Sequence, residues 1–140
     1  MAYTKFVDNQ GSMFEKNLQR TKFQNSAMQS FFREVNVADD ADIFEHRGYS
    51  ILTDGFMEFY EGYAIERVRL CGVYLDVTIF YTAFQLWERS IPFCIIEDLV
   101  TTQEQKHTPV FLESMKRVFG EKVFVSIDGD TIDDFITPTP

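Results

Sequence analysis

The sequence is poor in histidine, cysteine and proline, and it has no excess of positive charge. Of 140 residues, two are histidine, two are cysteine and four are proline, and the formal net charge is −9. Binding to nucleic acid requires a basic face that neutralises phosphates, so this charge argues against a nucleic-acid partner. No histidine, cysteine and aspartate residues have the spacing of a metal site. We therefore expect no metal and no other cofactor.

Long hydrophobic runs are also missing. No stretch approaches the roughly 18 uncharged apolar residues of a membrane span. The opening residues, MAYTKFVDNQ, have neither the apolar core of a signal peptide nor the arginine-rich composition of a transit peptide. We expect an intracellular protein, in the cytoplasm or an organelle matrix, without membrane insertion. Cys71 and Cys94 each lie in an apolar run, which predicts reduced, buried thiols rather than a disulfide or a metal pair.

Phenylalanine is abundant, with 15 residues, which indicates a dense core or a large apolar surface that another protein covers. In residues 1–40 the apolar spacing predicts one long amphipathic helix over 12–35, with Ser12 as its N-cap and Glu15 completing a capping box. Residues 41–127 are predicted to form the core domain. Residues 128–140 are an acidic tail, predicted to be loose or bound to a partner.

Strands and helices alternate through the core domain. The pattern predicts strands at 43–45, 67–73, 92–97 and 122–127, and helices at 53–64, 76–90 and 102–118. Strands that alternate with helices of this length indicate βαβ units and a parallel sheet that is covered on both faces. We therefore predict a three-layer α/β/α fold with a mainly parallel sheet of four to five strands.

In such a sheet, ligands bind beyond the carboxyl ends of the strands. His46, Asp76, Thr78 and Asp98 are predicted at these ends. Asp76 is placed to cap the helix over 76–90, and Thr78 lies in its first turn, where free backbone N–H groups favour an anion. A cysteine there would become a thiolate, whereas a threonine alcohol is too weak an acid and would need a strong adjacent base.

The segment around Thr78 resembles the isochorismatase-like cysteine hydrolases, the family that includes nicotinamidases. Cys71-Gly72-Val73, Asp76, Thr82-Ala83 and Glu97-Asp98 match its motif of C-G-V, a small or acidic residue, T-A and a strand ending in E/D-D. Upstream, EHRGYSIL is similar to the family's K-x-R-Y-S-A-F. The agreement extends over about residues 42–126, and the chain is shorter than the family by some tens of residues, which implies that a strand and helix are missing before residue 40.

The resemblance implies an unusual catalytic site. The family's cysteine aligns with Thr78 and its lysine with His46, and Asp8 is either its aspartate or an ordinary loop residue. The family's oxyanion turn aligns with Val73 and Tyr74, which implies a non-proline cis peptide bond between them. The family's zinc site, found in some members, would need more histidines than this chain has.

Three functions follow as hypotheses. The first is a catalytically inactive family member, a pseudoenzyme, with a structural or protein-interaction role in a homo-oligomer or as a subunit of a larger complex. The second is an active hydrolase of small amides that uses Thr78 with His46 as its base. The third is a module that binds a small molecule without turnover.

Overall fold

The part of the chain that the structure describes contains five strands and four α-helices, and every strand pair in it is parallel. The computed structural model describes residues 1–31 and 34–127, so the tail predicted at 128–140 lies outside the described residues. The chain divides into two compact units, Met1–Tyr63 and Ala64–Pro140. The predicted α/β fold with a parallel arrangement of strands is confirmed. In the described residues, no helix has the length and apolar character needed to cross a membrane.

The first unit is built on two adjacent strands. Strand β1 (Ala2–Phe6) pairs with β2 (Asp42–His46) in a register that sets Phe6 opposite His46. Helix α1 (Met13–Leu18) follows β1, and helix α2 (Asp54–Gly62) follows β2. Aromatic rings fill the space beside this sheet, because Phe44 packs against Phe56 and Phe59 of α2 while Phe6 packs against Phe14 and Phe23.

The single long helix predicted over residues 12–35 is wrong. Ser12 is the N-cap as predicted, and its hydroxyl accepts a hydrogen bond from the Glu15 amide at 3.1 Å, but α1 ends at Leu18. Gln19 then adopts a left-handed conformation with φ 54°, and two short 3₁₀ helices follow at Lys22–Gln24 and Ser26–Gln29. The Asn25 side chain accepts from the Ala27 amide, so a local polar bond replaces helix continuation here.

The second unit contains strands β3 (Val68–Val73), β4 (Phe93–Thr101) and β5 (Phe124–Val125), with β4 in the centre. A π-helical turn at Leu75–Ile79 leads from β3 into helix α3 (Phe80–Glu88). Helix α4 (Thr108–Phe119) connects β4 to the region before β5 and ends at Gly120. The elements occur in the predicted order.

The core of the second unit lies between the helices and β4. Fully buried side chains there include Leu86, Ile95 and Met115. The ring of Phe119 lies edge-on or tilted against four other rings, those of Phe80, Phe84, Trp87 and Phe93. Cys94 in β4 is buried as predicted, but Cys71 in β3 is exposed, so the prediction of a buried thiol fails at that position. Both cysteines are free, as the sequence predicts.

Candidate functional site

Asp8 and His46 lie at the same end of the two-stranded sheet. Asp8 follows β1 by two residues, His46 is the last residue of β2, and the Val7 amide donates to the His46 carbonyl at 2.9 Å. Both side chains are buried, with 8% and 5% of their surface exposed. Asp8 therefore lies just beyond the end of the first strand, and its identity with the family's catalytic aspartate stays a prediction.

His46 is held as a neutral ring. Its Nδ1 lies 2.8 Å from the Gly48 carbonyl oxygen, and because a carbonyl can only accept, Nδ1 carries the proton and donates it. The lone pair of the neutral ring is then on Nε2. Burial lowers the pKa of His46 below its usual value, since the charged form would lose its hydration, although the bond to Gly48 partly opposes that effect.

The Asp8 carboxylate is only partly satisfied. Its Oδ2 lies 3.5 Å from the Gln24 Nε2, and its Oδ1 is buried without a hydrogen-bond partner among residues 1–31 and 34–127. Gln24 also donates to the Asn9 carbonyl at 3.2 Å and to the Glu15 carboxylate at 3.1 Å. A buried acceptor without a donor is costly, so this oxygen marks a place where a bound donor would stabilise the protein.

Gln24 and Glu15 are neighbours of Asp8 that the sequence did not reveal as part of this site. Glu15 accepts a hydrogen bond from the Gly11 amide at 2.6 Å, and that bond and the one from Gln24 lower its pKa. Gln24 is 16 residues from Asp8, and a continuous helix over 12–35 would not have folded it back onto the end of β1. No sequence signal identified this contact, because it depends on the break after α1.

Thr78 occupies the turn between β3 and α3. The Val73–Tyr74 peptide bond that opens this turn is cis, as the resemblance implies. The Tyr74 carbonyl accepts from the amides of Val77 at 3.3 Å and Ile79 at 3.1 Å, which closes the turn around Thr78. Thr78 is half-buried within the π-helical turn.

Asp76 does not cap the helix, contrary to the prediction. The capping position is Tyr74, two residues earlier, and no side chain bonds to the first turn. Asp76 lies inside that turn with its Oδ1 buried and without a partner in the described residues. The π-helical geometry adds a residue to the turn, which shifts the start of the helix towards the strand.

A cleft of about 460 Å³ lies at the carboxyl ends of β3 and β4, where α4 begins. Gly72 and Val73 line it from β3, and Asp98, Leu99 and Thr101 line it from β4. Asp98 is within β4 rather than beyond its end, because β4 extends four residues past the predicted boundary at 97. The Asp98 carboxylate accepts from the Ser126 hydroxyl at 2.7 Å and from the Ile127 amide at 2.6 Å. Those bonds lower its pKa.

The structure thus brings Asp8 and His46 together within the first unit and places Val73, Tyr74 and Thr78 together within the second. His107, the other histidine, is exposed at the residue before α4. In residues 1–31 and 34–127, no three or more histidine, cysteine, aspartate or glutamate side chains are arranged to hold a metal ion.

Comparisons with a family model and with solved structures agree with the fold described above. The isochorismatase domain family matches residues 1–124. An isochorismatase-like hydrolase from Alkaliphilus metalliredigens is similar, with a TM-score of 0.78, 12% identity, and coverage of 96% of this chain and 71% of that one. The N-carbamoylsarcosine amidase of Thermoplasma acidophilum has a TM-score of 0.77 and 16% identity, with coverage of 94% and 73%.

The pyrazinamidase of Pyrococcus horikoshii, solved in complex with zinc, has a TM-score of 0.70, 18% identity, and coverage of 89% of this chain and 73% of that one. No curated protein matches the chain. At such identities the solved structures establish the fold alone. Because the family match extends over most of the sequence, the chain belongs to the isochorismatase family.

Proposed function

We propose that this chain is a catalytically inactive isochorismatase-family domain with a structural or protein-interaction role, as part of a homo-oligomer or a larger complex. One observation carries the proposal: threonine stands at position 78, in the turn that follows the cis bond between Val73 and Tyr74. The family resemblance assigns this position to the nucleophilic cysteine. A thiol can ionise near neutral pH in such a turn, but an alcohol cannot.

The state of His46 supports the same proposal. The resemblance aligns it with the family's lysine, whose positive charge would support the charges that develop during catalysis. His46 is buried, and its pKa is lowered by that burial, so the ring is neutral near pH 7 and does not supply the positive charge of the family's lysine. Replacing two of three catalytic residues removes most of a rate enhancement, because such residues act as a unit.

Exposed aromatic side chains favour an interaction role. Trp87 on α3 is 52% exposed, and Tyr63 at the end of α2 is 73% exposed. Aromatic residues are enriched in protein interfaces, where they supply much of the binding energy.

Turnover of small amides tests this proposal directly. The substrates to use are pyrazinamide and N-carbamoylsarcosine, which follow from the names of the similar structures, and nicotinamide, which follows from the family resemblance. Ammonia release should not exceed that of a Thr78→Ala variant for any of them. Turnover that Thr78→Ala abolishes would instead establish a hydrolase that uses the threonine oxygen, and native mass from the source cell would show whether the chain is a subunit.

A ligand-binding module without turnover is the second candidate, and the unpartnered Oδ1 of Asp8 favours it. A small molecule with an amide N–H could donate to this oxygen in a buried position. In a thermal-shift assay, nicotinamide would then raise the melting temperature of the wild type. The same ligand should have a smaller effect on Asp8→Ala, which lacks the acceptor, and an equal shift in both proteins would rule out this site.

A further inference from the structure

Strand β2 has an open edge in the first unit. Among residues 1–31 and 34–63, β2 pairs with β1 alone. All five residues of β1 are half-buried, whereas three of the five in β2, Asp42, Ile43 and Glu45, are exposed. The exposure pattern therefore identifies β2 as the strand whose outer side is uncovered. An open edge presents unpaired backbone N–H and C=O groups that can bind another strand.

The backbone hydrogen bond between Val7 and His46 shows which N–H and C=O groups of β2 face the open edge. The Val7 amide donates to the His46 carbonyl, so the backbone groups of His46 are directed at β1. In a parallel pair, the N–H and C=O of one residue point to the same neighbour, and this direction alternates along the strand. Asp42 and Phe44 therefore also bond towards β1, and Ile43 and Glu45 direct their N–H and C=O groups to the open edge.

The segment that leads into this edge is acidic. Residues 34–45 contain five acidic side chains and no lysine or arginine. Glu45 is paired with Lys5 across the strands at 3.0 Å, but Asp39, Asp40 and Asp42 form no ion pair within residues 1–31 and 34–63. These three aspartates are all exposed. A second copy of the chain would bring the same acids together, which opposes self-pairing at this edge.

We infer that the outer edge of β2 is a docking site for an extended, lysine- or arginine-bearing segment of a partner protein, which adds a strand beside Ile43 and Glu45. Backbone hydrogen bonds to these two residues would supply affinity, and cations on the added strand would meet Asp39, Asp40 and Asp42. This inference deepens the interaction role proposed above, but its test does not involve turnover, so either proposal can fail alone.

The first probe is an acetylated, fluorescent peptide of alternating lysine and valine, about seven residues long to match a typical strand, with a glutamate–valine peptide as its control. Fluorescence anisotropy should show that the lysine peptide binds to the full chain and the glutamate peptide does not. Binding should weaken in the Asp39→Asn, Asp40→Asn, Asp42→Asn triple variant, and also on raising the salt concentration. Equal binding of both peptides, or binding of neither, would overturn the inference.

A proline at position 43 tests the edge itself. Ile43→Pro removes an N–H that points away from β1, so the pairing with β1 is kept, and proline is tolerated at such an edge position. The lysine peptide should bind about tenfold more weakly to Ile43→Pro, and with unchanged affinity to Ile43→Val, which keeps the N–H. Circular dichroism and the urea midpoint establish that both variants are folded.

Two further results would contradict the docking site. If Ile43→Pro binds the lysine peptide as tightly as the wild type, the peptide contacts another acidic surface. If the wild type sediments as a dimer that Ile43→Pro converts to a monomer, a second copy of the chain occupies this edge instead of a basic partner. A monomeric wild type whose peptide binding depends on the Ile43 N–H supports the inference.

Discussion

The rings of Phe6 and His46 meet edge to face, with 5.7 Å between their centroids. The two residues are register partners in β1 and β2, so the strand pairing itself sets this contact. The same pairing carries Asp8, two residues beyond Phe6, to the end of the sheet where His46 lies. Burial, to which this apolar ring contributes, lowers the pKa of His46 and keeps the imidazole neutral, whereas the hydrogen bond from Nδ1 to the Gly48 carbonyl partly opposes that effect.

His46 should make stability depend on pH. Its pKa in the folded state is lowered from 6.5 by burial, so the unfolded chain takes up a proton at a higher pH than the folded one. The stability that the neutral ring contributes is therefore present above pH 6.5 and is lost as the pH falls below it. Urea unfolding between about pH 7.5 and 5 should show that the wild type loses more stability than His46→Gln.

His107→Gln is the matched control for this measurement, because His107 is exposed and lies outside the first unit. Its free energy of unfolding should follow that of the wild type across the same range. If the curves for the wild type and His46→Gln instead stay parallel down to about pH 5, burial does not keep His46 neutral, and one support for catalytic inactivity is lost.

The elements of the second unit could be predicted from the sequence with fair accuracy, because each strand is a nearly continuous apolar run. The run Pro92–Glu97 became β4, and the stop at Gly120 ends α4 as predicted. The position of Thr78 in a turn after β3, and the cis bond before Tyr74, also agree with what the resemblance implies. These features are local, so they depend on residues close together in the chain.

The first unit was harder to predict because its contacts join distant residues. Apolar side chains at 14 and 31 are predicted near one helical face, but in the structure Phe14 contacts Phe6 and Tyr49, and Phe31 contacts Tyr3, from a chain that folds back. Polar residues at 19–26 offered side-chain bonds that compete with a helix. Periodicity alone cannot distinguish a long helix from such a series of short turns.

Restoring the thiol should create a reactive site. In a Thr78→Cys variant, the amides of the turn and the start of α3 should favour the thiolate, so the new cysteine should react with iodoacetamide about three- to tenfold faster than an ordinary exposed thiol. Neighbouring atoms partly desolvate the thiols of Cys71 and Cys94 and raise the pKa of both, so these two should react slowly, although the Cys71 residue as a whole is exposed. Mass spectrometry of tryptic peptides measures the three rates in one sample.

Tyr81→Cys provides the comparison, because residue 81 is exposed on α3 but lies beyond the turn. If the thiol at 78 reacts no faster than the one at 81, the turn has lost the property that activates the family's cysteine. The lack of catalytic activity would then have two causes, the change from cysteine to threonine and a turn that no longer activates a thiol.

Substitution of Gly72 should destabilise the protein. Gly72 has a φ of 118°, a conformation that side-chain-bearing residues rarely adopt, and it lies where the pairing of β3 with β4 shifts register. Apart from its neighbours in the chain, no residue has an atom within 4 Å of the point that a Cβ would occupy. The cost of Gly72→Ala is therefore one of backbone strain, about 1–3 kcal/mol in the free energy of unfolding. Urea denaturation of the variant measures this loss.

Gly48→Ala is a close control for Gly72→Ala. A Cβ added at Gly48 would also enter open space, but the φ of Gly48 is not in the left-handed region. Its stability should remain within about 0.5 kcal/mol of the wild type. Equal losses in the two variants would mean that the glycine at 72 is not required by its backbone conformation.

Phe119 should be the most sensitive core position of the second unit. It is 4% exposed at the end of α4, and its ring lies 5.0 Å from that of Phe84, 5.7 Å from Trp87 and 5.7 Å from Phe93. Phe119→Ala removes these contacts and leaves a cavity between the helices and β4, at a cost of about 3–5 kcal/mol in the free energy of unfolding. Trp87 is the single tryptophan, so its fluorescence follows this unit directly.

Val118→Ala, at an exposed neighbouring position, should change stability by no more than about 0.5 kcal/mol. Phe119→Leu should lose less than Phe119→Ala, because a leucine refills part of the cavity. A loss below about 1 kcal/mol in Phe119→Ala would show that the aromatic cluster around α4 does not hold the unit together. Helix α4 also forms one wall of the cleft beside Val73 and Leu99. Such a result would therefore mean that the packing of Phe119 does not hold that wall in place.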